Sequence, residues 1–268
     1  MLKLVILIIY FAVLIGIGLY CRKHATDVNG FVLGGRSVGP WLTAFAYGTS
    51  YFSAVVFVGY AGQFGWKYGI AATWAGIGNA IIGSLLAWVV LGRRTRIMSQ
   101  HLDSATMPQY FGKRFGSNPL KIGASVIIFI FLIPYTASLY NGLSRLFGMA
   151  FNIDYSVCII IMATLTAIYV IAGGYMATAI NDFIQGIIML FGIVAVIAAV
   201  IHSKGGFMSA LQGLANVSDP AVSKTPGIFA SFFGPDPFNL LCVVILTSLG
   251  TWGLPQMVQK FYAIDNEA

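Results

Sequence analysis

Charge is what this chain has least of. Asp, Glu, Lys and Arg make up 9% of its 268 residues, and only eight of them are acidic. A water-soluble domain carries about 25%, so a globular cytosolic protein is excluded. Cysteine is nearly as scarce. Cys21, Cys158 and Cys242 stand far apart, in or beside apolar runs, and no disulfide framework or metal-binding spacing follows from them. The histidines, His24, His101 and His202, fall in loops or at helix ends. No nucleophile is matched with a base and no glycine-rich loop is set to cradle phosphate, so no catalytic constellation marks an enzyme. The net charge is +7, yet no basic stripe interleaved with aromatics marks a nucleic-acid surface. No stretch reads as a soluble domain or a disordered tail.

Apolar residues are abundant instead, at 58%, with 14% aromatics and 31 glycines. Seven runs are near the roughly 20 residues that cross a bilayer: 2–20, 41–62, 70–91, 122–149, 155–172, 179–201 and 238–257. The expected class is an all-α polytopic membrane protein. Run 2–20 ends in Gly18-Leu19-Tyr20-Cys21, a poor cleavage site, and is taken as a retained helix. With the N-terminus outside, ten of the fifteen Lys and Arg residues fall on the inner side, which favours N-out, C-in. Between the third and fourth runs, Met107, Tyr110, Phe111 and Phe115 predict a short amphipathic helix at the inner surface. Phe207, Met208, Leu211 and Leu214 make a second helical stripe, after which four prolines up to Pro237 break regular structure.

Two runs do not read as plain anchors. The second holds Gly48-Thr49-Ser50 at its centre, followed by Ser53, Gly59 and Gly62. The last repeats the pattern in Thr247-Ser248-Leu249-Gly250-Thr251-Trp252-Gly253-Leu254-Pro255. Breaking a helix in lipid is tolerable only where freed backbone groups meet protein, water or an ion. Paired broken segments build the midplane sites of secondary transporters; close packing through small residues is the plainer alternative. Segments two to six would form a first inverted repeat (41–201), run seven (238–257) would open the second, and 1–20 would be an extra helix in front. The whole of 1–268 is then a single transmembrane domain, expected to be truncated one helix into its second repeat.

Few residues could carry chemistry. Asp182, near the inner end of the sixth run, is either a carboxylate on an ion path or a cap at the helix start. Thr49, Ser50 and Ser53 offer hydroxyl oxygen near the first break, a hard ligand that suits an alkali cation, and hydroxyls also glue helices. Tyr135 follows Pro134, where a kink would unpair a carbonyl. Arg145 reads as an interfacial residue that snorkels outward.

Four stretches together resemble the sodium/solute symporter family, with its sodium/proline and sodium/galactose branches. They are Phe31-Val32-Leu33-Gly34-Gly35-Arg36-Ser37-Val38-Gly39-Pro40; Thr106-Met107-Pro108-Gln109-Tyr110-Phe111 with Arg114-Phe115; Gly173-Gly174-Tyr175 with Asp182-Phe183-Ile184-Gln185; and Trp252-Gly253-Leu254-Pro255-Gln256 with Lys260-Phe261. The resemblance implies a leucine-transporter-type fold of five-plus-five inverted repeats and solute uptake driven by a Na⁺ gradient through alternating access. It implies Na⁺ held by backbone carbonyls at Thr49 and Phe52 together with hydroxyls of a later helix, and Asp182 on the inward Na⁺ path. It places Tyr135, Thr247 and Thr251 at the solute pocket beside Ser50, Tyr51 and Ser53. Tyr51 stands where the proline branch has an aspartate, a departure that tells against proline. Val55 and Val56 stand where the galactose branch is polar, which tells against a sugar, so an amino acid or small organic anion is expected. The expected location is a bacterial inner or plasma membrane, in contact with lipid and with no nucleic-acid partner. A transporter-derived sensor or scaffold, or a fragment without transport, is the alternative.

Overall fold

The computed structural model describes residues 2–52, 60–217, 219, 222 and 225–265. These residues are overwhelmingly helical, and no strand occurs among them. The helices are α1 (Leu2–Cys21), α2 (Val28–Leu33), α3 (Pro40–Tyr51), α4 (Ala61–Tyr68), α5 (Thr73–Gly78), α6 (Arg93–His101), α7 (Met107–Phe115), α8 (Asn118–Phe151), α9 (Tyr155–Ser203), α10 (Phe207–Ala215), α11 (Pro237–Gly250) and α12 (Pro255–Ala263). Between α5 and α6 the chain stays helical with π-type winding over Asn79–Leu86 and Trp88–Gly92.

Local sequence accounts for most helix ends. The Thr106 hydroxyl accepts from Gln109 N–H at 3.4 Å while Gln109 Oε1 accepts from Ala105 N–H at 2.9 Å. This reciprocal cap starts α7 with Pro108 in its first turn, and Gly116 stops it in a left-handed conformation at φ 60°. Ser117 starts α8 by accepting from Leu120 N–H, and Asp236 starts α11 by accepting from Asn239 N–H. The stripes read at 107–115 and 207–214 are therefore the helices α7 and α10.

The runs expected at 155–172 and 179–201 share one helical stretch, α9. Its only departure is Gly174, at φ 56° and ψ −149°, a conformation open to glycine. A side chain there would meet the backbone of Phe31, so the glycine admits α2 as well as the bend. Proline 134 lies inside α8 without ending it.

Among the described residues, three stretches suffice by length and composition to cross a membrane: Ala61–His101, Asn118–Phe151 and Tyr155–Ser203. A fourth arises if α11 and α12 are taken as one broken span, and Val5–Cys21 is apolar but shorter. The run expected at 41–62 includes residues 53–59, which lie outside the described residues. The outward surfaces of α8 and α9 are lined by Phe129, Phe131, Ile171, Phe191 and Val194, all strongly exposed. Apolar surface on that scale calls for lipid or protein around it, not water.

The chain divides into two compact units. The first comprises Met1–Val55, Val90–Gly186 and Gly253–Ala268; the second Val56–Val89 and Ile187–Trp252. In the first, Leu33, Val38, Ala46, Tyr175, Val258 and Tyr262 form a buried core drawn from α2, α3, α9 and α12. In the second, Tyr68, Ala71, Ala75, Leu240 and Val244 pack α11 against the stretch after α4.

Candidate functional site

Within the first unit, α3 runs as regular helix through Gly48, Thr49 and Ser50; Phe52 N–H still bonds to Gly48 O at 2.8 Å. The departure comes at Phe52 itself, with φ −88° and ψ 61°. The interruption expected near Gly48–Ser53 starts at Phe52, inside that window, because glycine inside a helix weakens it without ending it. Ser53 lies outside the described residues. Ser50 is half-buried, and Tyr51 is buried between Tyr47 and Phe52 at ring-centroid distances of 6.1 and 5.4 Å.

Thr49 is turned toward α9. Its hydroxyl donates to Phe45 O at 2.9 Å and lies against the Asp182 carboxylate. The approach depends on Gly186: a Cβ there would sit 2.5 Å from Phe45 Cδ1 and 3.1 Å from Thr49 Cγ2. One turn earlier Phe183 meets Phe45 edge to face at 4.8 Å. Asp182 is thereby presented to the end of α3 and not to lipid.

The counter-charge comes from α12. Lys260 Nζ stands 3.7 Å from Asp182 Oδ2, with side-chain exposures of 8% for the lysine and 24% for the aspartate. The ammonium also lies 4.9 Å from the centroid of the Tyr175 ring. Sequence reading took Lys260 as an inner-side charge and as part of the fourth family-like stretch, without assigning it a partner. The signal that could have found it is its place just past the last broken run, on the side that also holds Asp182.

Arginine is used to fasten the same unit. Gly34, Gly35 and Arg36 are all at positive φ, with Arg36 at 57°, an arrangement that costs a non-glycine residue about 1–2 kcal/mol. The Arg36 guanidinium donates to Ser99 Oγ, Ser99 O and Tyr262 O, each at 3.3 Å, and to Ser104 O at 2.8 Å. Burial first, and the nearby Arg96 charge second, pull its pKa below the ordinary arginine value. Arg96 Nε donates to Ile264 O at 2.6 Å, and Gln259 Nε2 donates to Val32 O at 2.6 Å. The chain before α3 is thus tied to the chain at and beyond α12. Val38 and Ile264 form a parallel bridge at the same place.

Tyr135 lies on α8, half-buried, with its carbonyl accepting from Ser138 Oγ at 2.7 Å. It lines a cavity of about 420 Å³ with Met107, Phe111, Phe131, Leu254 and Pro255. The lining is apolar apart from the tyrosine, which suits the hydrocarbon part of a ligand more than its charge.

The remaining predicted residues belong to the second unit. Thr247 Oγ1 donates to Val243 O at 2.8 Å and accepts from Asn79 Nδ2 at 3.2 Å. Ser248 Oγ donates to Asn79 Oδ1 at 3.4 Å, and Thr251 Oγ1 donates to Ser248 O at 3.0 Å. Trp252 Nε1 donates to Ile82 O, 3.0 Å away in the π-type segment. Helix α11 gives way there to a tight turn over Thr251–Gly253 and an extended Leu254 before α12 begins. The hydroxyls of Thr247 and Thr251 are thus engaged with helix backbone and Asn79.

Among the described residues no group of three or more His, Cys, Asp or Glu side chains converges on a metal position. The polar groups gathered around Asp182 are its own carboxylate, the Thr49 hydroxyl and the Lys260 ammonium.

Residues 31–268 match the model of the sodium:solute symporter family. The chain is 33% identical over 270 residues to proteins named sodium/proline symporter from Staphylococcus aureus strains JH9 and NCTC 8325 / PS 47. The match covers 97% of this chain and 49% of each relative, so the chain spans about half the length of those proteins.

Proposed function

Because the chain belongs to the sodium:solute symporter family, we propose that it supplies the N-terminal half of a transporter that couples Na⁺ entry to uptake of a small solute by alternating access. The observation that carries this reading is the meeting of Thr49, at the end of the interrupted helix α3, with Asp182 and Lys260. A carboxylate at membrane depth costs about 2.5–3.5 kcal/mol when placed toward lipid; here it is turned into the protein, beside hydroxyl oxygen. In this reading Na⁺ is cargo, held by oxygen at Thr49 and Phe52 and passing Asp182 on its way to the cytoplasm. The two interruptions, after α3 and after α11, correspond to the opening helices of two inverted repeats in a five-plus-five arrangement of the leucine-transporter type. Residues 1–20 precede that core, 41–201 form the first repeat and 238–257 open the second. The N-terminus is then outside, which leaves Arg36, Arg96 and Lys260 at the inner face, where positive charge is favoured.

The solute is an amino acid or a small organic anion. The relatives are named for proline, and proline heads the list to be tested; Ser50, Tyr51, Ser53 and Tyr135 are proposed as solute-contacting residues. Tyr51 and the apolar lining around Tyr135 favour a compact solute with a hydrocarbon body over a sugar. The test is uptake of a labelled panel of amino acids, carboxylates and sugars into cells expressing the complete gene, in Na⁺ and in choline. Na⁺-dependent accumulation of one class supports the reading. Equal uptake in both salts for every solute would remove it and leave a transporter-derived scaffold.

A further inference from the structure

The ion pair between Asp182 and Lys260 is looser than a charge-assisted hydrogen bond, which closes to about 2.7–2.9 Å. At 3.7 Å the charges attract without a short bond between them. The ammonium has a second weak holding surface in the Tyr175 ring, and the carboxylate a second polar neighbour in the Thr49 hydroxyl. The pocket therefore already holds a cation, one tethered to the protein by a flexible four-carbon stem. One turn before Lys260 on the same side of α12, Gln256 has both amide atoms buried with no hydrogen-bond partner among the described residues. Its carbonyl is a further hard oxygen not committed to the fold.

We propose that Lys260 is a tethered competitor of Na⁺ at Asp182. Its ammonium holds the carboxylate when Na⁺ is absent and swings aside when Na⁺ binds, so that Lys260 sets the apparent Na⁺ affinity of the transporter. The inference rests on the proposed place of Asp182 on the Na⁺ path. Two cations on one partly buried carboxylate repel each other strongly at a few ångströms when water screens them poorly, so binding of one weakens binding of the other. The apparent dissociation constant exceeds the intrinsic one by the inverse of the fraction of time the carboxylate is free. A pair closed about nine-tenths of the time raises it about tenfold.

The test uses the protein expressed from its complete gene, purified, with Na⁺ itself as the probe and choline as the control, read as a Na⁺-specific thermal shift. Lys260→Gln lowers half-saturating Na⁺ by about tenfold. Lys260→Arg, whose planar fork closes a tighter pair with a carboxylate, raises it. In an Asp182→Asn background Lys260→Gln changes nothing further. If Lys260→Gln is not recovered as folded protein, Lys260→Arg alone decides. An unchanged or lowered half-saturation in Lys260→Arg, or an unchanged or raised one in folded Lys260→Gln, overturns the competitor role while leaving Na⁺ binding intact. A wild type with no Na⁺-specific shift would overturn the symport reading as well, and so tells the two failures apart.

Discussion

The two units handle polar groups in opposite ways. In the second, Asn79 joins Thr247 and Ser248 in a neutral network, and Thr251 bonds back to its own helix. Hydroxyls used in that way hold helices together. In the first, Asp182 faces a lysine at 3.7 Å and a threonine hydroxyl, the lysine in turn lies over the Tyr175 ring, and the buried amides of Asn181 and Gln256 have no partner among the described residues. A satisfied neutral network resists change, whereas a loose, charged and incompletely paired one can exchange its occupant. Hydroxyl clusters that look alike in sequence thus do different work: one fastens, the other is open to a cation.

The largest expected effect comes from glycines that permit close approach in either unit. Gly69 sits at φ 63°, and a Cβ there would collide with the backbone of Phe229. Gly69→Ala is expected to lose the packing of the second unit, by well over the about 1–3 kcal/mol of ordinary overpacking, and to abolish recovery of monodisperse protein in size-exclusion chromatography. Gly186→Val, which pushes against Phe45 and Thr49, should cost about 1–3 kcal/mol and disturb the Asp182 site at once. Recovery of both variants with unchanged melting temperatures would show that these contacts are softer than the distances imply.

Arg36→Lys comes next. A lysine ammonium cannot span Ser99 O, Ser104 O and Tyr262 O as the guanidinium fork does. Its loss should cost about 1–3 kcal/mol, read as a lowered melting temperature, with the cut of proteolysis falling near Asp265. The smallest effect is expected from Asn79→Ala. It removes the bonds to Thr247 and Ser248 at a cost of about 1–2 kcal/mol and leaves half-saturating Na⁺ where it was. A shift in Na⁺ affinity from Asn79→Ala would erase the distinction between the two units.

Much of the helical content was readable in advance, since apolar runs and caps are local. Met107–Phe115 follows from its own stripe, its Thr106 cap and Gly116. The break after α3 was legible within Gly48–Ser53 but not to the residue, because the glycine and hydroxyl cluster sits inside the last helical turn and Phe52 takes the non-helical angles. The span count was less legible. Gly173-Gly174 reads as the centre of a loop, yet helix resumes directly after Gly174. Asp182 stood out because carboxylates are rare at that depth, and Thr49 because hydroxyls interrupt an apolar run. The pairings of Lys260, Arg36 and Asn79 did not stand out, although the first two residues lie in the family-like stretches. Their partners lie 78, 63 and 168 residues away in sequence, and pairing at that range is set by packing, which a single sequence does not display.

The most direct test of the central claim is the Na⁺ concentration that half-saturates solute uptake, compared among wild type, Asp182→Asn and Asn79→Ala in the complete protein. Asp182→Asn is expected to raise it by about tenfold or more, one unit of about 1.4 kcal/mol in binding free energy, while Asn79→Ala leaves it unchanged. Equal Na⁺ dependence in wild type and Asp182→Asn would contradict the account, and would make Asp182 a partner of Lys260 for stability alone.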